Sequence, residues 1–125
     1  MGQKLLWLAV AGAVGTLSRY GLGGAVQRIA GSVFPWGTLV VNGVGCLVFG
    51  VVWAVAGDRF TLSNELRTVI LVGFLGAFTT FSSFVSEFGQ MAMDAEWLRG
   101  VAYVLGQNVL GFATFFLGTL IGRAI

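Results

Sequence analysis

The sequence predicts an all-α membrane protein of four transmembrane helices in a single domain covering residues 1–125. Three observations carry that reading. Hydrophobic residues make up 57% of the chain, and its mean hydropathy is +0.91. Charged residues make up 10%, against roughly 25% in an average soluble domain. The seven basic and five acidic residues are also spaced far apart, leaving the uncharged stretches Leu5–Ser18, Ile29–Gly57, Thr68–Ser86 and Gly100–Gly122. A chain this short cannot bury so much apolar surface in a core of its own, so lipid must be the apolar solvent.

A helix needs roughly 20 mainly apolar residues to cross a bilayer. The first span, about 4–27, reaches that length only with Arg19 inside or near its end. Lys4 and the apolar run to Ala9-Val10-Ala11 imitate a signal peptide, but the run continues past that triplet, so a retained helix is expected. Met1-Gly2 is followed at position 6 by Leu rather than Ser or Thr, which argues against myristoylation. The second span, about 36–56, carries Thr38 and Asn42 four apart on one helix face. An amide at that depth either bonds another helix or faces a polar path. Cys46 is the only cysteine and reads as a small packing residue.

The third span, about 67–88, contains Gly73-Phe74-Leu75-Gly76-Ala77-Phe78-Thr79-Thr80-Phe81-Ser82-Ser83-Phe84. Gly and Thr weaken a helix, and Ser and Thr compete for backbone hydrogen bonds. A helix break is expected near 76–80, where non-helical backbone is tolerated only if buried in protein or lining a wet cavity. An unbroken packing helix rich in Ser and Thr is the alternative. In the fourth span, about 99–123, Tyr103, Gln107, Gly111 and Thr114 form a polar stripe with Asn108 beside it. Such a stripe glues helices or lines a narrow wet track. Gly118-x-x-x-Gly122 adds a small-residue packing pair.

The charges say how the chain sits in its membrane. One side holds the termini and the middle loop, with Lys4, Arg59, Arg67 and Arg123. The other holds Arg28 and Arg99, plus Arg19 if it reaches that surface, so the bias is four against three. Orientation follows such a bias, and here it is almost nil. Both orientations are expected, and such a chain can pair with an inverted copy of itself. Three function classes are disfavoured. No Asp, Glu or His lies mid-span, Glu87 falling near the end of the third, so a proton relay is not expected. There is no acid pair and no Ser/His/Asp set for an enzyme. There is no His or Cys pair for a zinc or haem site.

Three segments together resemble one family. They are Gly12-Ala-Val-Gly15-Thr-Leu-Ser-Arg19-Tyr20, Phe34-Pro-Trp-Gly37-Thr38-Leu-Val-Val-Asn42-Gly43, and Gly73 through Phe84 followed by Glu87. In order, spacing and length they are similar to the Fluc (CrcB) fluoride channels, and the resemblance covers the whole chain. It implies an antiparallel dual-topology homodimer with two narrow fluoride pathways in a bacterial inner membrane. It also implies a structural sodium ion at the dimer centre, held by the backbone carbonyls of Gly76 and Thr79. By motif match, Phe81 and Phe84 are the pore phenylalanines, Asn42 the pore asparagine, Arg19 the vestibule arginine and Tyr103 the fourth-span tyrosine. The family commonly has serine one turn after that tyrosine, where this chain has Gln107; Thr114 is the further residue of that track.

The implied role is physically coherent. Fluoride is small and strongly hydrated, so stripping its water needs donors at close range. Asn42, Thr38, Ser82 and Ser83 are donors, and Phe81 and Phe84 offer positive ring edges. A neutral lining lets an ion enter and leave. The expected partners are fluoride, lipid and an inverted copy, with no nucleic acid. Two rivals are a small multidrug-type exporter, which needs a glutamate in the first span that this chain lacks, and a structural pore-former.

Overall fold

The computed structural model describes residues 1–58 and 62–125. Among the described residues there are only helices and turns: α1 (Gly2–Ala30), α2 (Trp36–Asp58), α3 (Asn64–Thr68), a π-helical segment (Val69–Leu75), α4 (Gly76–Phe78), α5 (Phe81–Met93) and α6 (Trp97–Ala124). The stretch Asn64–Met93 forms the third of four segments long and apolar enough to cross a membrane. Each helix overruns its predicted span by up to five residues, because hydropathy marks the crossing whereas hydrogen bonding continues into the interface. Arg59, counted above among the loop charges, lies outside the described residues.

The turn between α1 and α2 is set by local chemistry. Gly31 takes φ 93°, a conformation that favours glycine just past a helix end. Gln27 then ties the turn together: its Nε2 donates to the carbonyls of Gly31 and, at 2.8 Å, Phe34. Its Oε1 accepts the Gly37 N–H at 3.0 Å, one of the amides that the start of α2 leaves without a helical partner.

α2 lies mainly along α6, and α1 along the π segment and α4. These contacts depend on missing side chains. A Cβ on Gly118 would fall onto the Leu47 carbonyl, and one on Gly50 onto the Phe115 carbonyl. The core is correspondingly small. Val41, Leu75 and Phe78 are buried in one cluster, and Leu39, Met91 and a fully buried Tyr103 in another. The large apolar side chains Val109, Phe112, Phe116 and Leu120 of α6 point outward, the arrangement lipid requires.

The third span is broken where the sequence led one to look. Thr79 and Thr80 are extended, at φ/ψ −80°/159° and −148°/115°. Thr80 is the cause as well as the site: its hydroxyl accepts the Ser83 N–H at 3.2 Å and so caps a new helix, α5. The π segment before the break was not foreseen.

Candidate functional site

Glu87 sits where α2, α5 and α6 converge. Thr38 Oγ1 donates to its Oε1 at 2.6 Å, and Tyr103 Oη donates to its Oε2. Gln107 Nε2, one turn further along α6, donates to the Tyr103 oxygen at 3.0 Å. Gln107 Oε1 accepts from Asn42 Nδ2 at 3.2 Å. Asn42 completes the run on the main chain of the break, donating to the Thr80 carbonyl at 3.0 Å and accepting the Thr80 N–H at 2.8 Å. One hydrogen-bonded line therefore leads from a carboxylate to the broken backbone. No buried side-chain nitrogen or oxygen among the described residues is left without a partner.

The hydroxyls and rings lie beside this line. Thr80 Oγ1 donates to Ser83 Oγ at 2.9 Å, with Ser82 Oγ at 3.5 Å. Phe81 and Phe84 meet edge to face with centroids 5.6 Å apart, and Phe84 meets Tyr103 likewise at 5.3 Å. Phe81 is 76% exposed in the single chain. A cavity of about 330 Å³ is lined by Asn42, Thr79, Thr80, Phe81, Phe84, Gln107 and Asn108. A second, of about 430 Å³, shares Thr80 with the first and joins Arg19 to Thr38, Ser83 and Glu87. A third opens at the α1–α2 and α5–α6 turns, running from Glu87 past Gln90 to Asp94, Glu96 and Arg99.

Most of the sequence candidates thus converge on two cavities. Thr114 stands apart: its hydroxyl bonds back to the Leu110 and Gly111 carbonyls of its own helix and lines neither cavity. Arg19 is half-buried and lies one turn beyond the middle of α1, because that helix runs on past Arg28 to Ala30. Two residues of the site were not foreseen. Glu87 is the hub of the polar line, and its spacing of four from Ser83 was the available signal. Thr80, rather than either neighbour, is what Asn42 grips.

The break also leaves carbonyl oxygens for a cation. Thr80 gives its N–H to Asn42, and Ser83 gives its N–H to the Thr80 hydroxyl. The Gly76 and Thr79 carbonyls consequently take no backbone hydrogen bond. A Cβ on Gly76 would meet only the Leu71 carbonyl, at 3.8 Å, so the chain leaves open space there. Free main-chain oxygens are suitable ligands for a hard cation. No cluster of three His, Cys, Asp or Glu residues exists among the described residues to hold a softer metal.

Chemically the site joins amides and hydroxyls to one carboxylate and a set of aromatic edges, groups suited to meeting a small ion. Comparison with known proteins agrees. The family model described as "CrcB-like protein, Camphor Resistance (CrcB)" matches residues 6–119. A protein of Nitrosococcus oceani called "Fluoride-specific ion channel FluC" is 53% identical over 125 residues, covering all of both chains. Proteins of the same name from Desulforapulum autotrophicum and Rhizobium etli are 48% and 42% identical over 125 residues, covering all of this chain and 100% and 99% of theirs.

Proposed function

The chain belongs to the CrcB family, and on that premise we propose that it is a fluoride-selective channel, multi-pass in the bacterial inner membrane, that lets fluoride leave the cytoplasm passively. The carrying observation is the polar line from Thr38 and the Glu87 carboxylate through Tyr103 and Gln107 to Asn42, set beside the edges of Phe81 and Phe84. Amide and hydroxyl hydrogens of the lining that no protein acceptor holds replace part of the ion's water. The ring edges offer weak positive potential without a fixed charge that would trap the ion. Arg19 draws the anion towards the second cavity. Nothing in the reading asks for catalysis.

The functional unit is a dimer of opposed copies. The near-balanced Lys and Arg count supports this, as does the outward face that carries the exposed Phe81. The main-chain carbonyls of Gly76 and Thr79 would hold a sodium ion between the two copies. When bound, that ion neutralises oxygens that the break deprives of amide partners. Cysteine labelling on a Cys46-free background should reach one loop position from both sides of the membrane; access from a single side refutes dual topology.

The function is tested with a fluoride electrode on reconstituted liposomes. Fluoride should leave rapidly while chloride stays, and an imposed proton gradient should not drive the flux once HF leakage is subtracted. Equal rates for the two anions refute selectivity. A flux that follows the proton gradient points instead to an exporter.

A further inference from the structure

A groove of about 330 Å³ lies where the first and third spans begin, and it shares no lining residue with the three cavities described above. Gln3 and Trp7, one turn apart on α1, form one wall. Ser63, Glu65, Leu66 and Val69 form the other. The volume is at the lower end for small-molecule pockets, roughly 300–1,000 Å³. Its lining changes character with depth. Gln3, Ser63 and Glu65 precede the uncharged stretches that begin at Leu5 and Thr68, whereas Trp7 and Val69 lie within them. The groove therefore crosses the level where headgroups give way to hydrocarbon, the level at which tryptophan is enriched.

The polar groups of the groove are mainly acceptors without partners. Glu65 has no ion pair or hydrogen bond among the described residues. Arg67, the cation two positions along, lies instead over the Trp53 ring of α2, 4.6 Å from its centroid. Ser63 Oγ accepts the Leu66 N–H at 3.2 Å and has a second lone pair to offer. The Gln3 carboxamide is likewise unengaged among the described residues. Trp7 is 52% exposed, and an indole face attracts a cation placed over it. A carboxylate, two neutral oxygens and an aromatic face make an acceptor set for an ammonium group, whose three N–H bonds only donate.

We propose that this groove binds a phospholipid whose headgroup ends in a primary ammonium, the chemistry of phosphatidylethanolamine. The ammonium lies among Glu65, Gln3, Ser63 and the Trp7 ring, and an acyl chain runs down past Leu66 and Val69. The graded lining is what selects a lipid over a soluble amine, which would gain nothing from the apolar floor. A trimethylammonium headgroup keeps the charge but loses the N–H donors, and an anionic headgroup meets the Glu65 carboxylate. The expected order is ethanolamine, then choline, then glycerol headgroups.

The test titrates the purified full-length protein in detergent with each phospholipid and counts bound lipid by native mass spectrometry, with no fluoride flux involved. Phosphatidylethanolamine should bind about fivefold or more tightly than phosphatidylglycerol. Glu65→Gln and Trp7→Leu should each weaken it about threefold to fivefold, the range of an exposed ion pair or cation–π contact, and leave phosphatidylglycerol unchanged. Free phosphoethanolamine should not compete at the concentrations where the lipid binds. Equal affinity for the two lipids in the wild type, or undiminished phosphatidylethanolamine binding in both variants, overturns the proposal. Competition by phosphoethanolamine as effective as by the lipid overturns it in favour of a soluble amine. Loss of the dimer in both variants assigns the groove to contact between copies and overturns it too. Fluoride flux in liposomes, measured separately, should persist in both variants and shows that they fold.

Discussion

The α2–α6 pair and the third span solve the same problem in opposite ways. Both are polypeptide at membrane depth, where a backbone polar group without a partner is costly. α2 and α6 keep their hydrogen bonds inside unbroken helices of 23 and 28 residues and associate through glycines that let backbones touch. The third span gives up that continuity at Thr79–Thr80 and needs side chains to repair it: Asn42 from α2, and the hydroxyl of Thr80 itself. The difference teaches that the pair is held by close packing and the break by side-chain hydrogen bonds, which in the proposed channel makes the first the scaffold and the second the working part. Asn42 is where the two meet.

The largest effect is expected from damaging the scaffold. Gly118→Leu places a branched side chain where even a Cβ would overlap the Leu47 carbonyl. Overpacking of this kind costs about 1–3 kcal/mol or more, and because the obstacle is main chain, no rotamer change relieves it. The folded species should be lost on size-exclusion chromatography; an unaltered profile would show that α2 and α6 do not need this close approach.

Next comes the junction. Asn42→Asp removes both N–H donors and turns carboxylate oxygens towards the Thr80 carbonyl and Gln107 Oε1. Leaving such groups unsatisfied costs about 1–3 kcal/mol. Fluoride flux should fall by about tenfold or more, with the chromatographic profile retained because the glycine contacts are untouched. Wild-type flux in this variant would separate the clamp from conduction.

The mildest variants touch only the lining. Phe81→Ile and Phe84→Ile keep apolar volume but remove the ring edges that meet at 5.6 Å. Edge interactions are worth about 0.5–1.5 kcal/mol. Flux should therefore drop severalfold while the thermal midpoint of a detergent-solubilised sample changes little. A large fall in thermal stability with unchanged flux per folded channel would make these rings packing residues.

How much of this was legible in the sequence follows the same division. The scaffold was legible because it is compositional: long uncharged stretches place four spans, and Gly118-x-x-x-Gly122 announces a close contact, here with Leu47 and Val51 of α2. The break was legible because its chemistry is local, with Thr80 capping Ser83 three residues on. The hub was not. Glu87 looks like the charged end of a span, and only the convergence of Thr38 and Tyr103 from two other helices gives it a place in a half-buried polar line. Asn42 was legible as a polar residue needing a partner. Its choice of the Thr80 main chain depends on the fold. Thr114 shows the converse, since a residue on the expected stripe satisfies itself on its own helix. The π segment Val69–Leu75 has no marker in its apolar composition.

The central claim is that this lining passes fluoride and rejects chloride, and a bi-ionic reversal potential tests it most directly. The purified protein is placed in a planar bilayer with fluoride on one side and chloride on the other, and the voltage of zero current is read. If the account holds, fluoride carries the current and the reversal potential moves with the fluoride concentration alone, whatever the chloride. A reversal potential near zero, or one that moves equally with chloride, would contradict it.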